Sequence, residues 1–216
     1  MAPTPKTART MQKKKIFFNS KVGGKFKALS NFYGSSEYNF HIQRFKLTNT
    51  IPNLLRKVCR ESQNSAKFIE MLKQLQPNKK WTEKKEKYWF ENGKPIRGIL
   101  AKLIMNKSKR ISTRSNGWKK DLEVLNSFVK SKDLTQDDFV LHDSSCDPGF
   151  MKKALLHKFN RKKYRDILEA TGSAKLHEFS RHPGRWGLTK GGQGGDLLGK
   201  TLTVVREVII SRKIVN

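Results

Sequence analysis

A net charge of +28 carried by 216 residues is the feature that most limits what this chain can fold into. Lys and Arg number 46 against 18 Asp and Glu, so any compact state must hold many like charges apart. The means to do so are present: 36% of the residues are hydrophobic and 13 are Phe, enough to build a core. A chain disordered throughout and a coiled coil are both excluded by that composition. The length suits one ordinary domain with tails, or at most two small ones. No apolar run approaches the roughly 20 residues that cross a bilayer, and no apolar stretch follows the basic N-terminus as in a signal peptide. No membrane partner is therefore expected. Cys59 and Cys146 are too few for a disulfide framework or a four-ligand zinc site. These features predict an intracellular protein of a reducing compartment (cytoplasm, nucleus or a virion interior). Its charge calls for a polyanion, whether nucleic acid, an anionic surface or a phosphate-rich ligand.

The opening MAPTPKTARTMQKKK is polar and basic, and residues 1–15 read as a disordered arm with Lys13, Lys14 and Lys15 available to nucleic acid. Residues 16–216 read as a single domain. Ile16-Phe17-Phe18 is a short strand candidate closed by Gly23-Gly24. From Ser36 the spacing turns helical: Tyr38, Ile42 and Phe45 form one stripe, and Glu37, His41 and Arg44 form a neighbouring one. Pro52 opens a helix on Leu54, Leu55 and Val58, and Ser65 is placed to cap the next, which ends before Pro77. Amphipathic segments follow at 96–104 and 122–129. Asp147 and Pro148 have the N-cap and first-position chemistry for a long helix on Met151, Leu155, Phe159, Ile167 and Leu168, ended by Gly172. Residues 175–179 read as a strand and 197–210 as a last helix. The fold class is mainly α, an α+β arrangement with a few short strands.

Three motifs need weighing. Gly194-Gly195-Asp196-Leu197-Leu198-Gly199-Lys200-Thr201 satisfies the P-loop string, but no buried strand precedes it and no room remains for a later metal-binding Asp. The milder expectation is a glycine-rich turn offering N–H groups to a phosphate at a helix start. The five histidines show neither a zincin pair nor a nearby Cys cluster, so no metal and no cofactor are expected. Residues 79–94 interleave Lys84, Lys85 and Lys87 with Trp81, Tyr88, Trp89 and Phe90. Rings among lysines suit a single-stranded nucleic acid, and equally suit a satellite element packed on the core.

Ala28-Leu29-Ser30-Asn31-Phe32-Tyr33 followed by Glu37 resembles the start of the NADAR (YbiA-like) family. Met151-Lys152-Lys153-Ala154-Leu155 running to Lys158-Phe159 is similar to its M-x-x-A-L-x-x-K-F helix. Leu168, Thr171-Gly172, Leu176, Glu178, Trp186-Gly187, Gly194, Asp196, Leu198-Gly199-Lys200, Leu202 and Val205-Arg206 continue the pattern in order. About a third of the chain is covered, at 28–47 and 151–210, with insertions within 48–146. The resemblance implies a YbiA-like orthogonal helical domain and an N-glycosidase acting on ADP-ribose-type or riboflavin-precursor ligands. The family's E-x-x-x-Q-x-x-K becomes Glu37, His41 and Arg44, its usual Asp near Trp186 becomes Pro183, and its Asn in the glycine loop becomes Asp196. Its central Arg-x-x-Trp is best matched by Arg114 and Trp118.

Cleavage of an N-glycosidic bond develops positive charge at the anomeric carbon and needs a donor for the departing base. Under the resemblance Glu37 supplies the carboxylate and His41, one turn on, the proton. Arg44 suits a phosphate, Trp118 and Trp186 a flat base, and the 191–195 loop a diphosphate. Asn31, Phe32, Glu178, Gly187, Gly194 and Asp196 complete the expected ligand site. Two functions stay open. One is a hydrolase of an ADP-ribose-like or other phosphorylated N-riboside. The other is a catalytically decayed fold that binds nucleic acid or serves as a structural protein, for example in a virion. The altered Gln, Lys and Asp positions favour the second, and retained Glu37, Glu178, Trp186 and the glycine loop favour the first.

Overall fold

The computed structural model describes residues 14–19, 24–34, 36–43, 50–130, 133–140 and 148–214. Expectations placed on Lys13, Arg44, Cys146 and Asp147 lie outside these residues. The order is β1 (Lys15–Phe18), a 3-10 turn (Gly24–Leu29), α1 (Ser36–Gln43), α2 (Thr50–Glu61), α3 (Ser65–Leu75) and α4 (Glu83–Lys87). A hairpin of β2 (Phe90–Glu91) and β3 (Lys94–Pro95) leads to α5 (Gly98–Ser112) and α6 (Trp118–Val129). A second 3-10 turn (Gln136–Phe139) precedes α7 (Pro148–Phe159), α8 (Lys162–Glu169), β4 (Lys175–Glu178) and α9 (Leu197–Ile214). The fold is mainly α with a few short strands. Among the described residues no helix is long and apolar enough to cross a membrane.

Two hydrophobic clusters divide the interior. One gathers α2, α3, α5 and α6 around Leu55, Phe68, Leu72, Leu100, Ile104, Leu125 and Phe139. The other gathers β1, α7, α8, β4 and α9 around Phe18, Leu155, Phe159, Leu176, Leu198 and Leu202. Helix α1 contributes to both: Tyr38 enters the first cluster and Phe40 the second. At about 100° per residue these side chains point roughly 200° apart, and Glu37 and His41 fall in the narrower arc between them. The acid is therefore carried to the seam where the two clusters meet.

β1 and β4 pair in parallel, with Ile16 opposite Leu176 and Phe18 opposite Glu178. Alternation buries Ile16 and Phe18 and leaves Phe17 40% exposed, its ring 5.0 Å from that of His177. Lys14 and Lys15, expected in the arm, belong to the folded part: the Lys14 carbonyl accepts from the Lys175 N–H at 2.8 Å, and Lys15 opens β1. The single long helix expected after Pro148 is two. Arg161 has extended backbone (φ −78°, ψ 127°) between α7 and α8, which lets Phe159 and Leu168 both reach the same cluster from helices of different direction. The cap of α3 is Asn64 rather than Ser65, its side chain accepting from the Lys67 N–H at 3.0 Å.

Buried charge is handled by direct pairing. Asp121 on α6 is 6% exposed and accepts from Lys107 Nζ at 2.8 Å and Arg110 Nε at 2.5 Å, both on α5. Burial works to raise its carboxyl pKa, but the bonds to Arg110 and Lys107 outweigh it and hold the value below the usual range. Asp121→Ala leaves the largely buried Lys107 ammonium without its carboxylate. We expect a loss of roughly 2–3 kcal/mol, below the figure for a fully buried pair because Arg110 remains hydrated. Urea denaturation at pH 7 measures it, and the loss shrinks as acid titrates the carboxylate.

Candidate active site

Four segments converge at the seam. The turn Ser30–Gly34 lies over α1 and α7, and the Ser36 hydroxyl donates to the Asn31 carbonyl at 3.1 Å, tying it to the start of α1. Lys158 of α7 is fully buried and donates through Nζ to the carbonyls of Ala28 (2.5 Å) and Ser30 (2.8 Å). Desolvation pulls its pKa down to about 7, opposed by the negative charge of Glu37. Asn31 donates to the Met151 sulfur at 3.2 Å, while its buried Oδ1 has no partner among the described residues.

Glu37 and His41 are both buried, and Nε2 of the imidazole lies 2.9 Å from a Glu37 carboxylate oxygen. The one-turn spacing read from the sequence thus produces a contact. His41 is 4% exposed, beside Glu37 at 8%, and the contact between them holds the carboxylate in one orientation.

Glu178 ends β4. Its backbone N–H donates to Asp196 Oδ1 at 3.3 Å, and Asp196 Oδ2 lies 2.7 Å from His177 Nδ1 on the opposite side of the strand. Asp196 adopts a left-handed backbone, φ +50°, at the entry to α9. Part of Glu178 remains open to solvent, yet protein crowds its carboxyl. Burial first, then the charge of Glu37 and that of Asp196, push its pKa up to about 8, with Lys102 acting in the other direction. Glu37 and Glu178, separated by 141 positions in the chain, are electrostatic neighbours.

Lys102 on α5 is the cation that sequence reading missed. Its Nζ lies 4.9 Å from the centroid of the Phe32 ring and its charge acts on Glu178. It falls inside the region without family resemblance, and its signal, one Lys on an amphipathic helix, is indistinguishable from the other surface lysines. Phe32 itself is half-buried against the first cluster.

Trp186 packs edge-on against Phe40 at 5.6 Å, beside α1. Gly187 has no room for a side chain: a Cβ would come within 2.8 Å of the Glu178 carbonyl oxygen. The glycine loop differs from the expected phosphate cradle. The N–H groups of Gly195, Leu197 and Leu198 donate to the carbonyls of Gly184, Arg185 and Trp186 at 2.7, 3.1 and 3.0 Å. Gly192 N–H donates to the Thr189 carbonyl and Gln193 N–H to the Thr189 hydroxyl. The helix entry thus binds the chain's own backbone, and Gly194 (φ +122°) permits that approach, since a Cβ would lie 2.2 Å from the Gly187 carbonyl oxygen. Trp118 opens α6 and packs against the first cluster, with Arg114 Nε bonded to Gln136 at 2.5 Å. The Arg114–Trp118 match is therefore a turn and helix start of the α5–α6 core.

Trp81, Trp89 and Phe90 likewise turn inward onto the first cluster, Phe90 edge-on to Phe68 at 5.5 Å. These three rings lie as the satellite element packed on the core would place them, while Tyr88 stays exposed. Lys84, Lys85 and Lys87 remain exposed along α4. No group of His, Cys, Asp and Glu arranged to hold a metal occurs among the described residues.

The fold and this cluster define a mainly helical α+β protein with two neighbouring carboxylates at the junction of its two cores. Among solved structures the chain is similar to the NMR structure of the E. coli protein YbiA, at 19% identity and a TM-score of 0.50. The match covers 95% of this chain and 90% of that one. No protein-family model matches the sequence, and no curated protein matches it. The likeness to YbiA is one of fold.

A carboxyl with a raised pKa favours folding when protonated. Its contribution is complete below the unfolded pKa, near 4.5, and is lost as pH rises through about 8. Glu178→Gln removes that loss. Thermal unfolding of the two proteins is expected to show the Gln variant gaining on wild type steadily between pH 5 and 8, and a constant difference over that interval would contradict the raised value.

Proposed function

We propose that this chain hydrolyses the N-glycosidic bond of an ADP-ribose-type or related phosphorylated N-riboside, with Glu37 and Glu178 as its two carboxyl groups. What supports the reading is the electrostatic coupling of the two carboxyl groups: burial and the Glu37 charge push the Glu178 pKa up to about 8, which favours its protonated form near neutral pH. Paired carboxyl groups whose environments push them to different protonation states are the arrangement that glycoside cleavage uses. Glu178 replaces His41 as the proton donor. The bond between the anomeric carbon and the base nitrogen breaks with its electron pair going to the base, and Glu178 delivers a proton to that nitrogen. Water adds to the anomeric carbon and gives up its proton to the Glu178 carboxylate, restoring the acid. Glu37, held by His41, stabilises the positive charge that develops. Lys102 is exposed beside Phe32 and Glu178 and suits a substrate phosphate.

Glu37→Gln keeps the shape and removes the charge, so kcat is expected to fall on the order of 10²-fold or more with ligand affinity nearly unchanged. Wild-type turnover is expected to decline as pH rises through about 8, as Glu178 gives up its proton. The assay is release of free base from ADP-ribosylated guanosine or a riboflavin precursor. Equal rates for wild type and Glu37→Gln, both at the buffer-only level, would defeat the reading for those substrates.

The second reading, a catalytically silent fold that binds nucleic acid, is favoured by the net charge of +28 and by the exposed Lys84, Lys85 and Lys87. Removing residues 1–13, which leaves β1 whole, and changing these three lysines to Glu is expected to weaken nucleic-acid binding and flatten its salt dependence, by about 0.7 in log–log slope for each phosphate of a single strand that is no longer neutralised. A titration at several salt concentrations reads both. An unchanged slope would assign the basic excess elsewhere.

A further inference from the structure

We propose that the groove beside Phe32 is a nucleoside-diphosphate subsite, holding the phosphate-bearing part of the substrate away from the bond that breaks; this rests on the N-riboside reading above. The groove encloses about 460 Å³, within the range of small-molecule sites. Its wall includes the rings of Phe32, Tyr33 and Tyr164 and the cations Lys94, Arg97 and Lys163. Phe32 and Tyr164, both half-buried, supply ring surface for a planar base, and the exposed Lys94 and Lys163 supply partners for phosphate oxygens. Arg97 already donates through Nη1 to the Cys59 carbonyl at 2.7 Å. Glu91 is the one carboxylate in the lining, and the Tyr33 hydroxyl hydrogen-bonds to it. Burial and that neighbouring charge push the Tyr33 pKa up to about 12, so the phenol stays protonated and the acid stays engaged.

The wall is held in place from behind. Gly34, at φ +72°, lets the Tyr164 ring lie against the backbone, where a Cβ would be 3.2 Å from it. Gly98 lets Phe32 approach α5, where a Cβ would be 2.7 Å from the Phe32 carbonyl oxygen, and the Gly98 N–H donates to that oxygen at 3.2 Å. Lys158 Nζ lies 5.2 Å from the Tyr164 ring centroid, beneath the same turn. The opposite wall is the β2–β3 hairpin, turned by Asn92 (φ +49°) and Gly93 (φ +72°), both in the left-handed region that such tight turns require. These walls are pre-organised, which lowers the cost of ordering them around a ligand.

Position links the groove to the carboxyl pair. Phe32 lines it and also contacts the Lys102 ammonium, whose charge reaches Glu178. Other grooves lack this chemistry. The one of about 810 Å³ between α2 and α3 balances Lys57, Arg60, Lys67 and Lys130 with Glu61, Glu70, Asp133 and Asp138. The one of about 650 Å³ along α9 has no Phe, Tyr or Trp ring in its lining, and it sets Lys175, Lys200 and Arg206 beside Asp196 and Glu207.

The test is calorimetric titration of the full chain with ADP at fixed ionic strength. K94E/K163E is compared with K152E/K153E, which makes the same charge change on the exposed face of α7. ADP affinity is expected to fall at least about tenfold in K94E/K163E and to stay within about twofold of wild type in K152E/K153E, with both variants matching wild type in thermal unfolding. Equal losses in the two variants would show bulk attraction and overturn the subsite. So would absence of ADP binding, including the case in which a single-stranded oligonucleotide binds and ADP does not. Glu37→Gln, titrated in parallel, separates the two readings. ADP binding that needs Lys94 and Lys163 without Glu37-dependent turnover leaves the subsite standing and removes the hydrolase. The reverse pattern removes the subsite alone.

Discussion

Helix α1 is only eight residues long and is buried on two faces, and the arrangement of everything else follows from that. Tyr38 belongs to one hydrophobic cluster and Phe40 to the other, so the helix cannot rotate or shift without disrupting both. An acid and a histidine one turn apart on the remaining arc are thereby fixed in direction. A surface helix of this length would be marginal alone. Packing on both sides is what makes it a rigid support for Glu37.

The strongly basic chain folds by keeping its lysines on the outside and bonding the few charges that go in. Lys158 holds the carbonyls of Ala28 and Ser30, Arg206 holds Thr171 and the Ala174 carbonyl, and Asp121 is clamped by Lys107 and Arg110. Two of the interior groups act against each other as pH changes. Lys158, with a lowered pKa, withdraws stability as pH falls from its ordinary 10.5 toward 7, whereas Glu178 withdraws it as pH rises from 4.5 toward 8. Both penalties are felt near neutrality, in the same small region around Glu37. A site that keeps such groups at a cost in stability is the kind of place where perturbed protonation serves chemistry.

Backbone geometry restricts where a ligand can lie. The glycine loop before α9 is closed against the backbone of residues 184–187, which fixes Trp186 beside Phe40 and Gly187 beneath Glu178. Its glycines serve chain packing, and the N–H groups of Gly192, Gln193, Gly195, Leu197 and Leu198 are already bonded within the chain. Cations and rings are gathered on the other side of Phe32, where α5, the hairpin and the start of α8 meet.

The periodicities of the sequence determined the mainly helical class, the strand at Ile16–Phe18 and that at 175–178, and the last helix on Leu198, Leu202, Val205 and Ile209, because each is a local repeat of apolar residues. Spacing also determined that Glu37 and His41 share a helical face. Local pattern did not reveal the break at Arg161, where tertiary contact of Phe159 and Leu168 with one cluster overrides a continuous helical repeat. Nor did it separate Trp89, which packs inward, from the lysines around it, because ring burial depends on what α3 and α5 present. The electrostatic coupling of Glu37 to Glu178, the place of Lys102 beside Phe32 and the burial of His41 were decided by tertiary structure alone. Each depends on distance and desolvation between residues far apart in the chain, and neither quantity is written in the spacing of one segment.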